Sequence, residues 1–296
     1  MALPTVILVH GAWHTPANYA SFIAALRTQG FPVHCPLLPS CTESLQPKAS
    51  LEDDIAAVRE LASSLIATGQ RILMIMHSYG GAVGSEAVQG LAAPSPTSTS
   101  PGGPGGNGSG AAGGVIHLLY LCAYILPPAV SVWDIVVEAG FDRIFDQYVE
   151  TADDGSIFPL DPALMFFGGD ETMPRGVIDE ALKTLVRFPR SALTTRIQAG
   201  PGGRGRGGAE VDIIPGAGDG NLGCPNPVWA SIPATYVTTA QDYGVPRPYQ
   251  DIMLAKVKAQ GVQMRIEDVD TCHSVFISRE RKVVRIAVEA AHDERN

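Results

Sequence analysis

Residues 72–81 read ILMIMHSYGG: five apolar residues without a break, then a histidine, a serine, a tyrosine and two glycines. An unbroken apolar run of this length suits a strand buried on both faces, where an alternating one would suit a half-exposed strand. The small residues behind it suit a sharp turn, and residues 82–91 carry a helical pattern. Ser78 therefore stands where a buried strand turns into a helix, the backbone setting in which a serine nucleophile is presented; the plain alternative is a helix N-cap. Met76 occupies the position, two before the serine, that is usually glycine in such turns.

The pattern repeats on both sides of this stretch. Residues 5–9 (TVILV) predict a strand stopped by His10-Gly11, followed by a helix over 17–29 and a second strand over 31–35. Ser50, with Asp53 three residues on, predicts the cap of a helix that runs to Gly69. Downstream, 115–125 reads as another buried strand, closed by Pro127-Pro128. From 131 to about 227 there are helical patterns, 177–186 the clearest, but no strand signal. Strands over 232–238 and 262–269 and helices over 248–260 and 279–291 complete the chain. Alternation of this kind predicts an α/β protein with a mostly parallel sheet flanked by helices. Residues 1–126 and 229–296 form the sheet domain on this reading, and 127–228 form an inserted helical cap.

The chain has 296 residues and 32 glycines, of which eight fall in 91–114 and six in 200–208. Outside these two stretches glycine returns to about 7%, the ordinary level of globular chains. Both are expected to be flexible inserts without catalytic chemistry. Hydrophobic residues at 45% and charged residues at 17% exclude a disordered chain, and the regular interruption by charge and proline excludes a membrane bundle. A net charge of −9 offers no basic footprint for nucleic acid or an anionic membrane surface. The GRGRGG run at 203–208 reads as surface loop. Five cysteines without a CxxC pair signal neither a zinc site nor a disulfide framework. The opening MALPTVILVHG lacks the basic segment and long apolar stretch of a secretory signal, which points to a cytoplasmic protein. The reading admits a homodimer.

In a parallel sheet, chemistry gathers beyond the carboxyl ends of the strands. Three side chains stand there: Ser78, His273 in the segment after the last strand, and Asp242 after the 232–238 strand. A base after the final strand and a carboxylate to orient it would complete a nucleophile–base–acid set in the order Ser, Asp, His. Asp268 and Asp270 compete with Asp242 by their closeness to His273 in sequence. His10-Gly11-Ala12-Trp13 follows the first strand, and the amides of Ala12 and Tyr79 are candidates for an oxyanion hole. His10 reads as a structural residue holding that loop.

With these residues in view the chain resembles the α/β-hydrolase superfamily, in the branch of plant methylesterases, hydroxynitrile lyases and their fungal and bacterial relatives. The similarity lies in VILVHGAWHTPANY (6–19), HSYGGAVGSEA (77–87), IPATYVTTAQD (232–242) with Gln250 and Met253, and CHSVFIS (272–278). The resemblance implies Ser78 as nucleophile, His273 as base, Asp242 as acid, and the Ala12 and Tyr79 amides as the hole. The lyases place a lysine after the histidine and a threonine in the first motif. Ser274 and Gly11 stand there in this chain, which favours hydrolysis over cyanohydrin cleavage.

The expected reaction is acyl transfer from an ester, lactone or thioester of a small hydrophobic substrate, needing no metal or organic cofactor, and weakening in acid because His273 must be neutral to act. Trp13, Trp133, Phe158, Met165, Phe166 and Phe167 are candidates for an apolar substrate wall; for the cap residues, packing within the cap is the competing reading. Carbon–carbon bond hydrolysis, lactonisation or cyclisation of a polyketide-like metabolite would use the same three residues. A ligand receptor without turnover is the reading from another class.

Overall fold

Strands and helices alternate in the computed structural model, which describes residues 3–42, 47–94, 113–197 and 226–292. Strand β1 (Thr5–Val9) leads through a 3-10 turn to α1 (Ala20–Thr28). There follow β2 (Val33–His34), α2 (Leu51–Ala67), β3 (Arg71–His77), α3 (Gly80–Ala87) and β4 (Gly114–Leu121). The next segment holds α4 (Val132–Glu138), β5 (Val149–Thr151), β6 (Ser156–Pro159), α5 (Pro162–Phe167), α6 (Arg175–Leu182), β7 (Phe188–Pro189) and α7 (Arg190–Thr194). The sheet then resumes with β8 (Ala234–Thr239), α8 (Arg247–Ala259) and β9 (Arg265–Val269), and the chain closes with α9 (Val275–Ser278) and α10 (Glu280–His292).

The six main strands pair in parallel in the order β2-β1-β3-β4-β8-β9. Successive residues point to opposite faces, and both faces are covered. Val6, Leu8, Leu73, Ile75, Leu119 and Leu121 pack with Phe22 and Leu26 of α1 and Val283 and Ile286 of α10. Ile7, Val9, Met74, Met76 and Leu118 pack on the other side with Val58 of α2, Val83 of α3 and Met253 of α8. This two-sided burial is why β1 and β3 read as unbroken apolar runs. The Ser50 cap is formed: its Oγ accepts the Asp53 amide, and the Asp53 carboxylate accepts the Ser50 amide in return.

The segment between β4 and β8 departs from the helical expectation. Besides α4–α7 it contains an antiparallel sheet in the order β5-β6-β7. Its strands are only two to four residues long, too short for an alternating pattern to register. The segment is fastened to the carboxyl end of the main sheet. Trp13 Nε1 donates to the Ile157 carbonyl at 3.0 Å, Val186 N to the Trp13 carbonyl at 2.8 Å, and Ser274 N to the Phe166 carbonyl at 3.0 Å. Arg279 and Asp170 form an ion pair at 3.0 Å. Most of the 91–114 stretch and all of 200–208 lie outside the described residues. Among the described residues, no helix is long and apolar enough to cross a membrane.

Candidate active site

Ser78 sits between β3 and α3 with φ of +54°, in the left-handed region that side chains other than glycine rarely adopt. Such a residue stores about 1–3 kcal/mol of strain and persists only where its surroundings hold it. Here the Ser78 amide donates to the Leu121 carbonyl at 3.2 Å, and its own carbonyl accepts from Gly81 N and Tyr124 N at 3.0 and 2.9 Å. The turn also requires glycine behind it. A Cβ on Gly80 would collide with the Val9 carbonyl oxygen, and one on Gly81 would lie 2.5 Å from the Tyr124 oxygen. Met76 is accommodated further along the helix, where the missing side chain of Gly84 makes room for the Met76 thioether.

His273 lies after β9, three strands away from the β3 end that carries Ser78, and its Nδ1 is 2.9 Å from Asp242 Oδ2. Asp242 is fully engaged: Oδ2 also accepts from Thr239 Oγ1 at 2.6 Å, and Oδ1 accepts the amides of Gly244 and Val245 at 2.8 and 2.7 Å. Both side chains are buried. The competing carboxylates are turned elsewhere. Asp268 is bound by Thr238 and Arg247, and Asp270 by Gln241 Nε2 at 2.8 Å. Phe166 stacks on the His273 ring from one side, while Gly244 packs so tightly on it that a Cβ there would lie 2.8 Å from the ring.

His77, beside Ser78, was not singled out from the sequence. Its Nε2–H donates to the His273 carbonyl at 3.1 Å, and its Nδ1 accepts the Tyr19 hydroxyl at 2.7 Å; Tyr19 in turn accepts the Gly11 amide at 3.0 Å. One chain of hydrogen bonds thus joins the loop after β1 to the backbone of His273. A carbonyl can only accept, so Nε2 carries the proton and Nδ1 is the acceptor. Burial holds the His77 imidazole well below its ordinary range and keeps it neutral. A histidine ending an otherwise apolar strand was the available signal.

The loop after β1 is fixed at several points. His10 donates from Nδ1 to the Gly11 carbonyl at 3.0 Å and accepts the Leu38 amide on Nε2 at 3.1 Å, as expected of a residue that holds the loop. His14 donates to the Ala12 carbonyl at 2.8 Å. Burial pushes His10 down to about 4 and His14 down to about 3. Among the described residues, neither the Ala12 amide nor the Tyr79 amide has a hydrogen-bond acceptor. The Tyr79 side chain is anchored away from Ser78: its hydroxyl donates to Asp54 Oδ2 at 2.8 Å, and Asp54 also accepts both the amide and the hydroxyl of Ser40. Burial raises the Asp54 carboxyl to about 6 despite these bonds. Its signal was an acid in the apolar series Leu51, Asp54, Val58, Ala62 on α2.

Ala12, Trp13, Ser78, Tyr79 and Asp242 line a cavity of about 500 Å³ whose other walls come largely from α4, the segment after it and the start of α8. Trp133, Phe166 and Phe167 do not line it. Trp133 packs edge-on against Phe145 and under the Arg190 guanidinium, Phe166 is spent on His273, and Phe167 is buried in the core; Met165 reaches the cavity instead. Among the described residues His77, Cys122 and His273 bring potential metal donors together. Their atoms are committed to hydrogen bonds, Cys122 donating to the His273 carbonyl at 3.3 Å.

The chain is similar over nearly its whole length to an alpha/beta hydrolase, nvfD, of Aspergillus novofumigatus: 24% identity over 292 residues, covering 98% of both chains. A probable hydrolase, R7, of a Phoma species is 36% identical over 89 residues, 30% of this chain and 36% of that relative. Among solved structures, tomato methylketone synthase I superposes with a TM-score of 0.66 at 12% identity over the full length of both chains. An extracellular alpha/beta-hydrolase of a Paenibacillus species gives 0.64 at 15%, covering 98% of this chain and 100% of that one. The sequence pattern of the alpha/beta hydrolase family matches residues 6–286. With a parallel sheet in this order and Ser78 in the turn behind its third strand in sequence, the chain belongs to the alpha/beta hydrolase family.

Proposed function

We propose that the protein is a serine hydrolase that cleaves a carboxylic ester, lactone or thioester of a small hydrophobic substrate through an acyl-enzyme on Ser78. The observation that carries this reading is the His273–Asp242 pair, buried and 2.9 Å apart, with Asp242 and Ser78 both lining one apolar cavity. Asp242 fixes Nδ1 as the protonated nitrogen of His273, which leaves Nε2 as the base. His273 takes the Ser78 proton as Oγ attacks the carbonyl carbon. The oxyanion is received by the unused amides of Ala12 and Tyr79, donors of the kind whose single loss costs about 10² to 10³ in rate. The tetrahedral intermediate collapses as His273 protonates the leaving group, and water activated by the same imidazole then releases the acid. Trp13 would form part of the substrate wall. The hydrolase names of both fungal relatives support the reaction class.

The test is labelling with a fluorophosphonate probe, with turnover of short p-nitrophenyl esters, on wild type and Ser78→Ala. The expected result is labelling and turnover that both vanish in the variant. A wild type that neither labels nor turns over, or a variant that labels equally, removes Ser78 as nucleophile.

A further inference from the structure

The cavity wall contains two charged side chains among its described residues, and neither is free. Asp242 is held as above. Arg247 is bound to Asp251 at 2.7 Å and to Asp268 at 3.1 Å. A substrate carboxylate would enter an apolar space without an unpaired cation to meet it, at a large desolvation cost. The cavity therefore suits a neutral molecule.

Besides Ser78, two buried polar side chains on the wall stand unused. Tyr124 and Tyr249 are buried and line the cavity, and among the described residues neither hydroxyl has a hydrogen-bond partner. Tyr120 and Tyr236 offer the contrast: the first pairs with Ser85 at 2.8 Å and the second donates to the Ala123 carbonyl at 2.8 Å. Tyr124 is fixed beside the reacting serine by its own backbone, whose amide donates to the Ser78 carbonyl. The Tyr249 ring is set by Phe141, edge-on at 5.2 Å. Burial drives the Tyr124 phenol well above its ordinary range, with Tyr249 and Asp242 adding to the effect; burial raises Tyr249 likewise. Both phenols stay protonated and offer O–H donors.

A donor in an apolar site discriminates strongly, because a ligand lacking the acceptor leaves it unpaired. Resting on the hydrolase reading, we propose that Tyr124 and Tyr249 form a second polar subsite that accepts a further oxygen of the substrate, in addition to the scissile carbonyl. The substrate class is then a neutral keto ester whose apolar part packs against Trp13, Phe141 and Phe145.

Two matched pairs of methyl esters test this, each differing by one ketone oxygen. They are methyl 3-oxo-3-phenylpropanoate against methyl 3-phenylpropanoate, and methyl 4-oxo-4-phenylbutanoate against methyl 4-phenylbutanoate. Intrinsic reactivity cancels when the keto-to-plain ratio of kcat/KM in wild type is divided by that in Tyr124→Phe or Tyr249→Phe. The expected result is a fall in the ratio of about tenfold or more for at least one pair. A ratio unchanged in both variants, including a common fall for both members of a pair, overturns the subsite. Calorimetric binding of the same esters to Ser78→Ala, with and without Tyr124→Phe, separates the two readings. Keto preference in binding without turnover by wild type keeps the subsite and removes the hydrolase reading. Turnover without keto preference in either assay does the reverse, and no preference in any assay overturns the subsite.

Discussion

His77 donates its Nε2–H to the backbone carbonyl of His273 at 3.1 Å, so the residue next to the candidate nucleophile holds the backbone of the candidate base. Replacing it by phenylalanine leaves the Tyr19 hydroxyl without an acceptor and removes one donor from that carbonyl, which keeps Cys122 Sγ and the Val275 amide. The one buried hydroxyl left unpaired costs about 1–3 kcal/mol of stability, and a shift of His273 approaching 1 Å costs about 10²-fold in kcat. His77→Gln retains an N–H donor at a similar reach and is expected to recover part of kcat, with KM little changed in both. Equal activity of the two variants would reduce His77 to a packing residue.

Asp242 and Asp270 separate cleanly under substitution. Asp242→Asn disturbs the His273 tautomer and is expected to cost about 10⁴ in kcat. Asp270 accepts from Gln241 Nε2 at an exposed position and, among the described residues, has no hydrogen bond to His273, so Asp270→Asn is expected to stay within about twofold of wild type, as an exposed substitution should. Steady-state kinetics on both decides.

Gly244 is a steric test of the same pair. An added methyl would press on the His273 ring at 2.8 Å while the Gly244 amide still serves Asp242. Gly244→Ala is expected to lower kcat by about 10² through displaced geometry. The melting temperature should move far less than the rate suggests.

Met76 and Gly84 are expected to be coupled. Gly84→Ala forces its methyl onto Met76 Sδ at 2.6 Å and should destabilise by about 1–3 kcal/mol. Met76→Ala leaves a cavity and also destabilises. Together the two should cost less than their sum by about 1 kcal/mol or more, as contacting residues do. Urea unfolding of the four proteins measures the difference, and strict additivity would sever the pair.

Stability should fall on acidification, against an opposing contribution from Asp54. His10 and His14 have folded pKa values of about 4 and 3, below the ordinary 6.5. The unfolded chain therefore binds more protons below pH 6.5, and stability present above that pH is lost as pH falls towards 4. Between pH 7 and 5 each contributes a loss of about 2 kcal/mol, and His77 acts in the same direction. Asp54, raised from 3.8 to about 6, binds protons more tightly in the folded chain and returns about 1 kcal/mol over that interval. The histidines win. Asp54→Asn should steepen the loss between pH 7 and 5 by about 1 kcal/mol in urea unfolding.

Much of this was legible from local pattern. Apolar runs, unbroken in β1 and β3 after their first residues and interrupted in β4 by His117, pointed to these strands because strands covered on both faces have no polar side to alternate. The serine at the end of β3, and Asp242 and His273 as candidates beyond later strand ends, follow from the same reading. The short strands β5–β7 left no such trace, because two to four residues complete no period and their pairing partners lie up to 33 residues apart, as Ser156 and Pro189 do.

Sequence by itself determined the parallel α/β architecture and the family, since burial on both faces and the sharp turn at Ser78 impose their residue types locally. Only the tertiary structure decided which carboxylate meets His273. Asp242, Asp268 and Asp270 are chemically alike, and the partners that claim the latter two, Thr238, Arg247 and Gln241, are set by the packing of β8, α8 and β9. It also decided which aromatic rings face the cavity, why Met76 fits, and that His77 joins two loops. These are contacts between residues distant in the chain, and no local pattern encodes which way a side chain turns to meet them.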